Sequence, residues 1–362
     1  MKILHVIHQL WRGNGAAKVV RDLAAYQIAQ GNSVSIVSLS LFAPTFDQEL
    51  EALGCEVIYL ENRRYSCYHP KFFFRLRKII KEYEIVHVHL FPALYWVALA
   101  KLFSSASCKL VLTEHSSFNN RQSIKLLNPL ERFIYTRYDA VIGVSDDVSR
   151  MLRSRFGLKE RLYTINNGVG IEEVRSAPVV RRESLGVPKE AVLIVQVAKF
   201  YEGKDQKTVI RMLTQLPDSF YLFFVGEGSL LEEDKALARS LGMSDRVIFG
   251  GFRNDAVSIL KAADIVVMSS RFEGLCLSVL EAMAAGKPVV ASNVEGLSQV
   301  VEGAGLLFEL HDEKGLAAHV KRLMEDRSFY ESVAERCRQR SLCFSSDTMA
   351  ESYQQVYKEL LK

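Results

Sequence analysis

The sequence predicts an α/β protein built from two Rossmann-like, doubly wound domains. Short β-branched runs alternate with amphipathic helical stretches from end to end, the pattern of parallel sheets with right-handed crossovers. The alternation falls into two series, separated by a segment rich in glycine, proline and charge. A chain of 362 residues also exceeds what one hydrophobic core usually organises. Ligands of such sheets bind beyond the carboxyl ends of the strands, so two domains facing across a cleft would enclose one site.

In the first series the strand candidates are Ile3 to Ile7, Val34 to Ser38, Val57 to Leu60, Ile85 to His89, Leu110 to Thr113, Ala140 to Val144 and Tyr163 to Ile165. Helical patterns lie between many of them, such as Ala16 to Gln30, which Gly31 closes. Asn166 to Pro188 reads as a linker. The second series is Val192 to Val197, Tyr221 to Val225, Val247 to Phe249, Ile265 to Met268, Val289 to Ala291 and Leu306 to Phe308. The resulting divisions are 1–168, a linker at 169–188, and 189–345. The remainder, 346–362, is a helix whose apolar side carries Met349, Tyr353, Val356, Tyr357, Leu360 and Leu361. It has no following strand and packs back across either domain, the N-terminal one being the first candidate.

Bulk properties exclude several classes. Lys and Arg number 46 against 42 Asp and Glu, an excess too slight to argue for nucleic acid. No apolar run approaches the roughly 20 residues that span a bilayer, and Met1 to Ile7 passes straight into a strand pattern. A cytoplasmic protein without a signal peptide is expected. Cys55, Cys67, Cys108, Cys276, Cys337 and Cys343 lack paired short spacings, so they read as reduced packing residues and not as a disulfide framework or zinc site.

The chemistry concentrates in the second series. Between Gly274 and Gly286 the segment Leu275 to Ala285 is apolar except for Glu281, so its helix lies largely inside the protein. A buried carboxylate needs a partner, and ligand hydroxyls would serve as well as a buried Arg or Lys. Eight residues upstream, Glu273 ends the loop Ser269-Ser270-Arg271-Phe272-Glu273, either toward the same ligand or as a solvated loop residue. The helix start at Leu275, Cys276, Leu277 and Ser278 offers unpaired N–H groups and positive potential to a phosphate. Lys199 and Lys204 stand at the tip of the strand Val192 to Val197, where they either neutralise a diphosphate or sit on the surface. Phe252 and Arg253, in the turn Gly250 to Asp255, and the tip Val225-Gly226-Glu227-Gly228 occupy further strand ends suited to a nucleobase. In the first half, His8 to Ala17 is a glycine-containing turn that opens a helix after the first strand; it either brings backbone at Gly15 close to a phosphate or an acceptor, or only joins the strand to the helix.

These pieces in this order resemble the family 4 glycosyltransferases, whose fold is the two-Rossmann arrangement GT-B. Ser269 to Gly274 with Leu280 to Ala291 look like the family's Glu-x7-Glu block. Val197-Ala198-Lys199-Phe200 with Lys204-Asp205, Val225 to Gly228, Val247 to Gly251 and Asn167-Gly168-Val169 also match. The resemblance implies an N-terminal acceptor domain and a C-terminal nucleotide-sugar domain. Glu281 would bind ribose hydroxyls and Glu273 those of the transferred sugar. Lys199, at the family's usual Arg position, and Lys204 would hold the diphosphate. His115, in Thr113-Glu114-His115-Ser116, falls where the family has a histidine near the donor sugar, which makes Glu273, His115 and Lys204 the catalytic candidates.

The sequence departs from the family where Asn14-Gly15-Ala16-Ala17 lacks the acidic residue of a Gly-Gly-x-Glu loop, where Gly170 replaces Asp, and where Glu295-Gly296 replaces Gly-Gly. Family membership implies transfer of a hexose or N-acetylhexosamine with retention, from a UDP sugar to a saccharide or lipid-linked acceptor, as in bacterial surface polysaccharide and lipopolysaccharide synthesis. No strict Asp-x-Asp occurs, so no metal is expected on the diphosphate, and no tightly bound cofactor. The basic, aromatic stretch His69 to Lys81, with Arg121 to Lys125, suits an anionic membrane surface, at the inner face, or else a packed helix with a solvated basic side. A sugar-nucleotide epimerase of the same fold and a non-catalytic sugar-nucleotide sensor are the alternative functions.

Overall fold

A computed structural model describes residues 1–61, 69–116 and 125–362. The chain divides into two compact units, Met1–Gly168 together with Ser346–Lys362, and Val169–Ser345. Each is one parallel sheet flanked by helices, so the predicted fold class is borne out.

The first unit holds β1 (Lys2–Ile7), β2 (Ser33–Ser38), β3 (Glu56–Tyr59), β4 (Ile85–His89), β5 (Lys109–Glu114), β6 (Ala140–Gly143) and β7 (Leu162–Thr164), in the order β3-β2-β1-β4-β5-β6-β7. The second holds β8 (Val192–Val197), β9 (Phe220–Val225), β10 (Val247–Phe249), β11 (Ile265–Met268), β12 (Val289–Ser292) and β13 (Leu306–Phe308), in the order β10-β9-β8-β11-β12-β13. Every strand read from the sequence is present, its ends within about one residue, well inside ordinary boundary scatter. The continuous apolar runs follow from burial on both faces of a parallel sheet: Ile265–Met268 is buried throughout.

Each sheet reverses its winding direction once, between β1 and β4 and between β8 and β11. Ile3 pairs with both Val34 and Ile85, and Ile194 with both Leu222 and Ile265. Helices leave opposite faces at such a switch point and open a crevice beyond the carboxyl ends of the two strands. In the second unit those ends are Val197 and Met268, which Lys199 and the Ser269–Glu273 loop follow directly.

The stretch 169–188 is folded onto the second unit. Val169 N–H donates to the Phe344 carbonyl at 2.9 Å, a helix runs over Ile171–Ser176, and the Arg182 guanidinium bonds the Ala262 carbonyl and the Asp264 carboxylate, both at 2.8 Å. The final helix, Ser346–Leu360, belongs to the first unit. It buries Met349, Tyr353, Val356 and Tyr357 beside the helix Gly15–Ala29, and Leu361 is left 38% exposed. The basic helix is shorter than the pattern suggested, Lys71–Ile79 followed by one tight turn at Ile80–Glu82. Arg121–Lys125 and Cys67 lie outside the residues whose side chains are described. Cys55, Cys108, Cys276 and Cys337 are buried free thiols and Cys343 is an exposed one.

Candidate active site

In the second unit, β8 and β11 end side by side, and their following loops are laced together by hydrogen bonds. Ser269 Oγ lies 2.7 Å from the Lys204 carbonyl and 2.9 Å from that of Asp205. Gln196 Nε2 donates to Ser269 Oγ at 3.1 Å, and Arg271 N–H to the Gly203 carbonyl at 2.9 Å. This framework presents Lys204 to Glu273. Lys204 Nζ forms an ion pair with Glu273 Oε1, which also accepts from Ser270 Oγ at 2.6 Å, and the two side chains are only 14% and 13% exposed. Glu273 is therefore no solvated loop residue. Burial works to lower the Lys204 pKa, but the charge of Glu273 and its hydrogen bond outweigh that and raise it, so the ammonium stays charged.

Lys199 lies exposed at the same strand end, its pKa held below the ordinary lysine value by partial desolvation and then by the charge of Lys204. Gln206 Nε2 donates to the Lys199 carbonyl at 2.9 Å and fixes the backbone there. The glycines of the neighbouring tip are explained by crowding: a Cβ on Gly226 would stand 2.1 Å from the Ala198 carbonyl oxygen, and one on Gly228 equally close to that of Phe200. Only glycine lets the β9 tip close against the loop that carries Lys199.

The helix after Glu273 spans Leu277–Ala284 with Cys276 as its cap, so it begins two residues later than the apolar run suggests. Leu275 and Cys276 are the approach to the helix and Leu277 and Ser278 its first residues, while Glu281 lies in its second turn, 7% exposed. Ser278 Oγ donates to the Val197 carbonyl at 3.1 Å and lies 3.3 Å from Cys276 Sγ, which ties the helix start to β8. Burial and then the Glu273 charge push the Cys276 thiol up to about 12, so it stays a neutral thiol and not a nucleophile. Gly296 closes over the same loop. Its φ is +79°, and a Cβ there would meet the Glu273 carbonyl oxygen at 2.4 Å.

Lys199, Lys204, Glu273 and the Leu275–Ser278 approach thus collect at one switch point, with Glu281 on the same helix. Phe252 and Arg253 stand beyond β10, two strands from β8. Phe252 is half-buried, and the Arg253 guanidinium is held by Asp255 in a two-pronged pair at 2.7 and 2.6 Å.

Gly15 and His115 belong to the first unit. Gly15 begins the helix Gly15–Ala29, whose cap Asn14 accepts from Ala16 N–H at 3.1 Å. His115 follows β5, half-buried, and ends a chain of imidazoles that spacing alone did not reveal. His115 Nε2 is 3.2 Å from His89 Nδ1, His89 Nε2 is 3.1 Å from His5 Nδ1, and His5 Nε2 is 2.8 Å from Gln27 Oε1. Beside it, His87 lies 2.5 Å from the Tyr357 hydroxyl and 2.7 Å from Thr113 Oγ1, which in turn meets the Tyr353 hydroxyl at 3.2 Å. The signal was present as the polar residues His5, His87 and His89 inside otherwise buried strands. Among the described residues, His5, His87 and His89 are the group close enough to suit a metal, with ligand atoms within 4.8 Å. All six of their ring nitrogens already have hydrogen-bond partners, so the set reads as a proton network.

Residues 13–173 match the family model described as Glycosyltransferase Family 4, and residues 180–340 the model described as Glycosyl transferases group 1. The chain belongs to glycosyltransferase family 4. Over 202 residues this family 4 chain is 32% identical to the lipopolysaccharide core biosynthesis glycosyltransferase LpsD of Rhizobium meliloti, a match spanning 55% of this chain and 57% of that protein. The chain thus covers little more than half of that relative's length. A match at 26% identity spans 88% of the chain and 89% of the N,N'-diacetylbacillosaminyl-diphospho-undecaprenol alpha-1,3-N-acetylgalactosaminyltransferase of Campylobacter jejuni. Among solved structures, Anabaena HepE in complex with UDP-glucose superposes with a TM-score of 0.86 at 22% identity, over 99% of this chain and 100% of that one. The shared fold is GT-B.

Burial lowers the pKa of His5 to about 4 and of His115 to about 3, and it holds His87 and His89 well below the ordinary 6.5. Groups whose folded pKa is depressed bind protons mainly after unfolding, so their stability contribution is intact above pH 6.5 and is lost as pH falls from there toward 4. Each such histidine steepens the loss by up to about 1.4 kcal/mol per pH unit. Urea unfolding followed by near-ultraviolet circular dichroism should give a constant midpoint near neutral pH and a falling one below pH 6.5. His87→Gln should show a shallower fall, and a midpoint that does not move through this window would contradict neutral histidines in the fold.

Proposed function

We propose that the chain transfers a hexose or N-acetylhexosamine from a UDP sugar to a saccharide or lipid-linked acceptor with retention of configuration. The Lys204–Glu273 pair beside the Leu277–Ala284 helix start carries this reading. It gathers positive charge and unpaired backbone donors for a diphosphate next to two carboxylates that accept from hydroxyls. The ammonium has three donors, so Lys204 can keep Glu273 and still bind a phosphate oxygen. Glu281 would take ribose hydroxyls, Glu273 those of the transferred sugar, and Lys199 the diphosphate, with Phe252, Arg253 and Gly15 at the edges of the donor site. His115 would meet the donor sugar. UDP-glucose in the structurally similar HepE supports the donor class, and the Campylobacter jejuni relative, whose name gives a diphospho-undecaprenol acceptor, supports the acceptor class.

In the mechanism that fits these groups, the acceptor hydroxyl attacks from the face that the diphosphate leaves, and the leaving phosphate takes the acceptor's proton. The C–O bond to the diphosphate breaks as the glycosidic bond forms. Lys204, Lys199 and the helix start stabilise charge growing on the diphosphate, commonly the largest electrostatic contribution. No divalent cation or tightly bound cofactor is needed in this scheme.

A membrane face for a lipid-linked acceptor is part of the proposal. The helix Lys71–Ile79 buries Phe72 and Leu76 and exposes Arg75, Arg77 and Lys78, with Phe74 60% and Phe103 58% exposed nearby. Among the described residues no helix is long and apolar enough to cross a membrane. Attachment would therefore be peripheral, at the cytoplasmic leaflet, by cationic and aromatic side chains.

Glu281→Ala should weaken UDP binding by about 1.5–3 kcal/mol in calorimetry, the cost of a charged hydrogen-bonding partner. Glu273→Gln should leave UDP binding near normal and lower turnover steeply. Equal damage to UDP affinity by both would sink the division of roles.

With a UDP-α-sugar and a lipid-linked acceptor, proton NMR of the product should show an α linkage, and transfer should persist in excess chelator. A β product or loss of transfer on chelation would overturn the mechanism.

Sedimentation with vesicles containing anionic lipid should capture the protein, and a double Arg77→Glu, Lys78→Glu variant should release it. Equal capture by neutral vesicles would argue against the charged face.

A further inference from the structure

We propose that Gln27, His5 and His89 form a tautomer relay that sets His115 with its Nε2 proton turned inward and its Nδ1 lone pair presented to a ligand hydroxyl. Each link has one donor and one acceptor. Gln27 Oε1 can only accept, so His5 Nε2 carries the proton across the 2.8 Å contact. Neutral His5 then has a bare Nδ1, and His89 Nε2–H must donate to it at 3.1 Å. His89 Nδ1 is left bare in turn, so His115 Nε2–H donates to it at 3.2 Å. Among the described residues no hydrogen bond is made by the remaining nitrogen, Nδ1 of His115. A single amide oxygen on the helix Gly15–Ala29 therefore fixes three imidazoles in succession.

The geometry makes the relay one-directional only while all three rings are neutral. His5 and His89 are fully buried, and burial keeps every ring of the chain below its ordinary pKa. His115 is thereby an acceptor at neutral pH and not a general acid. Gln27, His5 and His89 are positioning residues that act through it. The consequence for sugar transfer rests on the proposed function, whereas the tautomer itself does not.

The test is a long-range proton–nitrogen NMR spectrum of the whole chain labelled at histidine, with His115→Asn used only to assign the signal. The wild type should show His115 Nε2 protonated and Nδ1 bare from pH 6 to 8. Gln27→Leu should give a mixed or reversed tautomer, and Gln27→Glu, which still accepts the His5 proton, should restore the original one. In transfer assays Gln27→Leu should lower kcat by about five- to tenfold with KM for the donor nearly unchanged, the size of one hydrogen bond. A protonated Nδ1 on His115 in the wild type would overturn the relay, because the chain would then run the other way from a turned Gln27 amide. So would a folded Gln27→Leu with the wild-type tautomer. Failure of transfer in the wild type with the expected tautomer would strike the proposed function and leave the relay standing.

Discussion

A lysine and a glutamate shielded from water at the end of a parallel sheet must stay together, and much of the second unit's local architecture serves that requirement. Separating Lys204 from Glu273 would leave a dehydrated charge, which costs several kcal/mol. The Ser269 hydroxyl, the Gln196 amide and the Arg271 N–H hold the two loops at the spacing the pair needs. Gly226, Gly228 and Gly296 remove the side chains that would push those loops apart. The helix from Leu277 is tied to the same strand through Ser278, so Glu281 inherits its placement from β8 as well as from its own helix.

The strands and the reversal points were legible because parallel sheets write themselves as apolar runs of β-branched residues, and the winding rules leave little freedom in joining them. Glu281 was legible because a lone charge in an apolar helix is anomalous wherever it occurs. The Lys204–Glu273 pair was not, since 69 residues separate its members and the sequence does not state which loops meet. Arg253 shows the reverse difficulty. Its type and position suited a donor site, yet Asp255 two residues on already occupies its guanidinium. The helix start also moved, from Leu275 to Leu277, because Cys276 takes an extended cap conformation that an apolar pattern does not encode.

The first unit relies on polar residues in its core. His5, His87 and His89 lie within two adjacent central strands, and the Tyr353 and Tyr357 hydroxyls close the network from the final helix. Such a core is stabilised as its polar groups find partners, as all six ring nitrogens of His5, His87 and His89 do, which makes it more exacting than an apolar one of equal size. It also places a string of neutral, polarisable rings between the helix Gly15–Ala29 and the end of β5, where His115 meets His89.

The final helix has a consequence for the order of events during synthesis. Residues 169–345 are contiguous and can assemble as soon as they leave the ribosome, whereas the first unit, begun earlier, lacks Tyr353 and Tyr357 until the whole of the second has been made. His87 and Thr113 then wait for partners supplied more than two hundred residues later, and their long sequence separation places this closure late. Of the two units the one begun earlier is completed later, so the nascent N-terminal sheet passes through a stage with an uncovered face that ribosome-bound chaperones are suited to shield.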